Sequence, residues 1–198
     1  MIINGVVLTV CAVFDFAWFD FTGADYISRT TVLTALMLFL PLFDRTWSLP
    51  RLNINKSKLF LWLMLLVAGL TLVALNSDYA NYAVSTVLFA ALPEEWFFRA
   101  YFMQRLGQIL RGTQCLFIKQ KIMGGKIPGY LPANILTSTL FASLHMPTQG
   151  WVGLSVFFPS LFYGWVYQKT RDLILVILLH ALSNIIFIIY LAEHMQGH

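Results

Sequence analysis

The chain has 198 residues, of which 59% are hydrophobic and 11% charged, and its mean hydropathy is +0.72. A soluble domain carries about 25% charged residues, so there are too few polar side chains here to cover a water-facing surface. That excludes an ordinary soluble globular protein. The two cysteines, Cys11 and Cys115, are too far apart in setting to suggest a disulfide-held fold. The net charge of +4 calls for no nucleic-acid partner, because membrane topology and attraction to anionic lipid account for it.

A membrane helix needs about 20 apolar residues. In chain order the candidates are roughly 2–20, 29–44, 58–75, 82–104, 131–147, 151–168 and 173–191. None alternates like a strand, and only helices or closed barrels satisfy the backbone in lipid. The expected fold is all-α, a polytopic transmembrane bundle of about seven spans, with six to eight compatible. The start reads as a first span rather than a cleaved signal, since Met1–Asn4 lacks a basic region. Residues 1–80 carry no motif, 81–191 hold the polar residues of interest, and 192–198 form a tail.

Orientation follows from Lys and Arg. Arg45, Arg51, Lys56 and Lys58 lie between the second and third spans, and Arg105, Arg111, Lys119, Lys121 and Lys126 between the fourth and fifth. Lys169 and Arg171 lie between the sixth and seventh. With seven spans these loops share one side, and the positive-inside rule places the N-terminus in the cytoplasm and the C-terminus outside the cell membrane. Within the 105–130 segment, Leu110, Leu116, Phe117 and Ile118 fit the lipid face of an interfacial helix, before Gly124-Gly125 and Pro128-Gly129 break it. An ordinary cytoplasmic loop and a substrate-handling segment both fit this stretch. Trp18, Trp47, Trp62, Trp151 and Trp165 read as interface anchors. Asp15, in the first span, either snorkels to the interface or lines a cavity.

Ionisable residues inside spans are costly and mark function. The fourth span holds Glu94, Glu95 and Arg99. Glu95 and Arg99 are four apart and can pair, while Glu94 points about 100° away around the helix and is left over. Pro93 frees a carbonyl near Phe89 and favours a kink. In the fifth span Asn134, Ser138, Phe141 and His145 share one helical face; in the seventh, His180 and Asn184 do. His145 falls near the outer end of its span. Either that helix continues past Pro147, or it dips into the bundle, or the boundary lies elsewhere. Any one of these polar residues alone is as well explained by helix packing; three spans each carrying one point to a shared site.

Glu94-Glu95-Trp96-Phe97-Phe98-Arg99 resembles the EExxxR motif of the CPBP family, the CAAX protease and bacteriocin-processing membrane proteins. Phe141-Ala142-Ser143-Leu144-His145 resembles its FxxxH motif, and His180-Ala181-Leu182-Ser183-Asn184 its HxxxN motif. The stretch from Phe157 through Gly164 to Thr170 is similar to its weaker glycine-bearing motif. The motifs fall in family order between roughly Leu92 and Ile186. The resemblance implies an intramembrane protease in which Glu94 and His145 activate water and His180 and Asn184 hold the oxyanion. Glu95, Arg99 and Phe141 would support the site. It also implies no cofactor, and a membrane-anchored protein or peptide as substrate, cut near its C-terminal end.

The chemistry is consistent with that assignment. A carboxylate beside a histidine can deprotonate water, and an imidazole with an amide can stabilise an oxyanion. Other readings stay open at this stage. Glu94, His145 and His180 are also a possible zinc set with water as fourth ligand, although HExxH is absent. A non-catalytic scaffold or immunity protein and a proton-coupled transporter are the other classes. Ser183 has no obvious base, Cys115 sits in a loop, and His194 and His198 fit a disordered tail better than a metal site.

Overall fold

The computed structural model describes residues 26–52, 54–112 and 130–191, and every regular element among them is helical. In chain order these are α1 (Tyr26–Phe43), α2 (Lys56–Leu75), a continuous helical run α3 (80–112), α4 (Tyr130–Gln149), α5 (Phe157–Thr170) and α6 (Leu173–Tyr190). Each corresponds to one of the second to seventh candidate spans. The first candidate span, with Cys11, Asp15 and Trp18, lies outside the described residues. So do Cys115 to Ile118, the lysines at 119, 121 and 126, the glycines and Pro128 that follow, and the histidines at 194 and 198.

Helix ends follow from capping residues. Asn55 accepts the Lys58 amide (2.8 Å) at the start of α2, and Asp172 accepts the Leu175 amide (3.0 Å) at the start of α6, each satisfying a donor the helix leaves open. At the end of α2 the Asn76 side chain donates to Leu72 O. α5 closes on Arg171, whose backbone is left-handed (φ 51°) and whose N–H reaches Tyr167 O, a position usually given to glycine.

α2 is apolar all round, and along its length only Trp62 is buried. Phe60, Leu63, Val67 and Leu70 are exposed. A helix apolar on every face but scarcely covered by protein needs lipid around it. By length and hydropathy, α2 (mean 2.3) and α6 (mean 2.6) are the described helices able to cross a membrane.

α3 is the central element. It packs against α1, α4 and α6, while α6 also contacts α2 and α5, and α4 contacts α5. One apolar cluster joins Met37 of α1, the Phe97–Phe98–Tyr101–Phe102 group of α3 and Phe141 of α4. A second joins Ala100 and Met103 to Trp62, Tyr163, Tyr167 and Val176.

Pro93 does not interrupt α3. The helix widens into π turns on either side, Thr86–Ala91 and Trp96–Phe102, around the α-helical Leu92–Glu95. Such turns often occur at functional positions. The Phe89 carbonyl, which Pro93 cannot serve, accepts a hydrogen bond from the Thr34 hydroxyl of α1 at 3.3 Å.

Two sequence expectations gain detail. Trp47 and Trp62, read as interface anchors, are held by acceptors inside the protein. Trp47 Nε1 donates to Ala100 O (3.1 Å) and its ring packs edge-on to Trp96 and Tyr101; Trp62 is buried with Nε1 donating to Asp172 Oδ2 (3.1 Å). Trp151 and Trp165 remain exposed. Leu110 does not simply face lipid: α3 runs on to Gly112, and Leu110 packs against the Ala100–Met103 cluster.

One end of the bundle is tied by charge. Arg105 pairs with Asp44 (2.8 Å) and donates to Thr46, whose hydroxyl also donates to Asp44. Lys58 stands 3.8 Å from Asp172, and Gln104 donates to the Tyr167 hydroxyl (2.8 Å). The end of α1, the start of α2, the last turns of α3 and α5 and the start of α6 therefore meet at one level. Burial raises the Asp44 pKa, but hydrogen bonds from the Thr46 hydroxyl and amide, then the Arg105 charge, outweigh it and leave the carboxyl below its ordinary value.

Candidate active site

The polar residues of α3 are tied to three other helices. Glu95 and Arg99 are fully buried and pair as their spacing predicts, with Arg99 Nε 3.1 Å from Glu95 Oε2. Arg99 Nη2 donates to Ser160 Oγ of α5 (2.9 Å), and its guanidinium carbon stands 5.3 Å from the centre of the Phe141 ring of α4. The second oxygen of Glu95 reaches α6, where Oε1 is 2.9 Å from His180 Nδ1. With Nδ1–H given to Glu95, the other ring nitrogen faces Glu94: Nε2 stands 3.7 Å from Glu94 Oε2. His180 thus lies between two carboxylates from adjacent residues of one helix. Its ring stacks on Tyr163 (5.2 Å, 23°) and meets the edge of Phe141 (6.2 Å, 77°).

His145 joins this network through Phe141. α4 continues past Pro147 to Gln149, which is the first of the three possibilities left by the sequence, and keeps His145 on a helical turn. Its Nδ1 lies 2.9 Å from Phe141 O, and its ring is 4.5 Å from the Phe141 ring. Donation from Nδ1 to that carbonyl leaves Nε2 as an acceptor. The turn after α4, Gly150–Val156, folds back on this point. A Cβ on Gly153 would meet His145 C and O at 2.8 Å, so glycine permits the backbone approach. His145 and Glu94 form no ion pair within 4 Å. Asn184 is half-buried one turn beyond His180 and makes no hydrogen bond to a described residue.

Among the described residues, no three His, Cys, Asp or Glu side chains are grouped to hold a metal ion.

The model of one protein family, type II CAAX prenyl endopeptidase Rce1-like, matches residues 59–186, well over half of the chain. The chain belongs to this family. The endopeptidase is thus a protease, and with its lipid-facing α2 it is a membrane protein. No curated protein and no solved structure gave a match to it. The matched stretch contains every residue of the EExxxR, FxxxH and HxxxN patterns.

Two contacts of the endopeptidase's polar network escape a residue-by-residue reading of the sequence. Ser160 and Tyr163 hold Arg99 and His180, yet neither is ionisable at neutral pH nor part of the three motifs. The signal is periodic: Ser160, Tyr163, Gly164 and Tyr167 are spaced as one helical face, and all are buried. Gly164 lets that face approach α4. A Cβ there would fall 1.8 Å from Asn134 Oδ1, and Asn134 Nδ2 donates to Leu161 O at 2.9 Å.

Proposed function

We propose that the chain is a glutamate-dependent intramembrane endopeptidase that hydrolyses a peptide bond near the C-terminal end of a membrane-anchored protein or peptide. The observation that carries this reading is His180, held between Glu94 and Glu95 inside a family of endopeptidases.

In this reading Glu94 is the general base. Its side chain is 19% exposed against 0% for Glu95, so it is the carboxylate that a water can reach. Glu95 is committed to Arg99 and His180 and acts by positioning. In this scheme His145 offers Nε2 to the same water, so that a carboxylate and an imidazole together polarise it. The hydroxide formed attacks the scissile carbonyl, and the proton taken by Glu94 passes to the leaving amine as the C–N bond breaks. With both ring nitrogens protonated, Nδ1–H toward Glu95 and Nε2–H toward the site, His180 joins the Asn184 amide in donating to the oxyanion, where a low-dielectric surrounding strengthens both. Asn184 enters this scheme by its position one turn from His180.

A bundle of seven spans, with a cytoplasmic N-terminus and the C-terminus outside, fits the charged end described above. Asp44, Lys58, Arg105 and Asp172 gather at one level, as an alternating path through the membrane requires. The substrate class follows the family's description, and it takes in prenylated and unmodified membrane-anchored tails alike.

The test uses purified protein reconstituted in liposomes with a membrane-tethered peptide carrying a C-terminal reporter. Release should disappear in Glu94→Gln, His145→Ala, His180→Ala and Asn184→Ala and should survive strong chelators. Loss on chelation with recovery by zinc would replace the glutamate mechanism with a metal one.

A further inference from the structure

At the charged end of the bundle two adjoining clefts share Pro50, Arg51, Lys58 and Arg171. The larger, about 470 Å³, is mixed in character and adds Ser48, Leu49, Gln104, Tyr167 and Thr170. The smaller, about 180 Å³, is apolar and runs inward along Leu52, Trp62, Leu173 and Ile174 as far as Trp96. Arg51 and Arg171 are exposed. The carboxylate in this lining, Asp172, is already engaged by Trp62, the Leu175 amide and Lys58. A positive, hydrogen-bonding mouth therefore opens onto an apolar slot lying against the lipid-facing α2.

We propose that this double cleft binds one anionic phospholipid. Its phosphate would lie between Arg51 and Arg171, beside the Lys58 that Asp172 partly neutralises, and an acyl chain along Leu52, Trp62 and Leu173. The charge complementarity is direct, and the order of the surfaces, cationic then apolar, is that of a lipid headgroup and its chain. A basic pocket between helices at the cytoplasmic surface is suited to such headgroups. The left-handed backbone at Arg171 ends α5 abruptly and turns the chain into α6 beside the mouth.

The experiment is native mass spectrometry of the full chain in neutral detergent, titrated separately with phosphatidylglycerol, phosphatidylcholine of the same chains, and inorganic phosphate. The expected result is one phosphatidylglycerol retained in preference to phosphatidylcholine and not displaced by millimolar phosphate. Arg51→Gln and Arg171→Gln should each weaken retention about five-fold, the effect of one cation near an anionic lipid surface. Arg51 lies outside the helices, so its variant reports even if Arg171→Gln fails to fold. Equal retention of the two lipids, or unchanged retention in the Arg51 variant, would overturn the proposal. Displacement by inorganic phosphate would make this a site for the free anion and equally overturn it.

Discussion

His180 and Glu95 meet across 2.9 Å, Nδ1 to Oε1, with their side chains 7% and 0% exposed. The contact joins α6 to α3 at the level where Glu95 also holds Arg99. One carboxylate therefore neutralises a buried cation, fixes an imidazole and turns the free nitrogen of that imidazole toward Glu94.

The first prediction separates the two neighbouring glutamates by stability. Glu95→Gln or Arg99→Met leaves an uncompensated charge, or a polar group without its partner, in a fully buried place. Breaking a buried pair in this way costs about 3–5 kcal/mol. Thermal melts in detergent should show a large loss for either variant and a small one for Glu94→Gln, whose side chain has access to solvent. Equal losses for Glu94→Gln and Glu95→Gln would show that the two carboxylates are not divided as described.

Two glycines make a second prediction. Gly164→Ala drives a methyl into Asn134, which is buried and bonded to Leu161 O, so α4 and α5 must separate. Overpacking of this kind costs about 1–3 kcal/mol, and adding Asn134→Ala should recover part of the loss. Gly153→Ala meets the His145 backbone instead. It should reduce turnover more than stability, because what moves is the helical turn that carries His145. Parallel melts and cleavage rates distinguish the two.

A third prediction concerns pH at the charged end. The Asp44 carboxyl titrates below its ordinary value of 3.8 in the folded protein. A depressed carboxylate stabilises fully above its unfolded pKa, and the contribution disappears as pH falls through the folded value. Wild type should thus be more stable than Asp44→Asn at neutral pH, and the two should converge in acid below 3.8. Melting curves from pH 7 to pH 2 at constant ionic strength check this. A gap that widens in acid would contradict the sign.

Much of the helical architecture was legible in the hydropathy pattern. The second to seventh candidate segments reappear as helices α1 to α6, of which α2 and α6 are long and apolar enough to cross a membrane. The Glu95–Arg99 pair followed from helical spacing, and the exposed Phe89 carbonyl from Pro93, although its partner Thr34 did not. What sequence position leaves open shares a cause. Distance from span ends marks Trp47 and Trp62, but their indole partners, Ala100 O and Asp172, are set by tertiary packing. The relation of His180 to both glutamates was likewise hidden, because helix rotation across 85 residues of sequence separation is set by packing. Ser160 and Tyr163 went unnoticed since a hydroxyl and a ring declare a role only once their neighbours are known. Helix α4 passes through Pro147 because proline near a helix end removes little of the hydrogen-bond ladder.

The central claim is that Glu94 activates water while Glu95 only holds the site in place. The most direct test is the single-turnover cleavage rate of a membrane-tethered peptide by Glu94→Gln, compared with wild type of matched melting temperature in the same liposomes. The account predicts a fall of about 10²–10⁴-fold, the usual worth of a general base, with substrate binding retained. A Glu94→Gln protein that folds, binds and cleaves at the wild-type rate would contradict it.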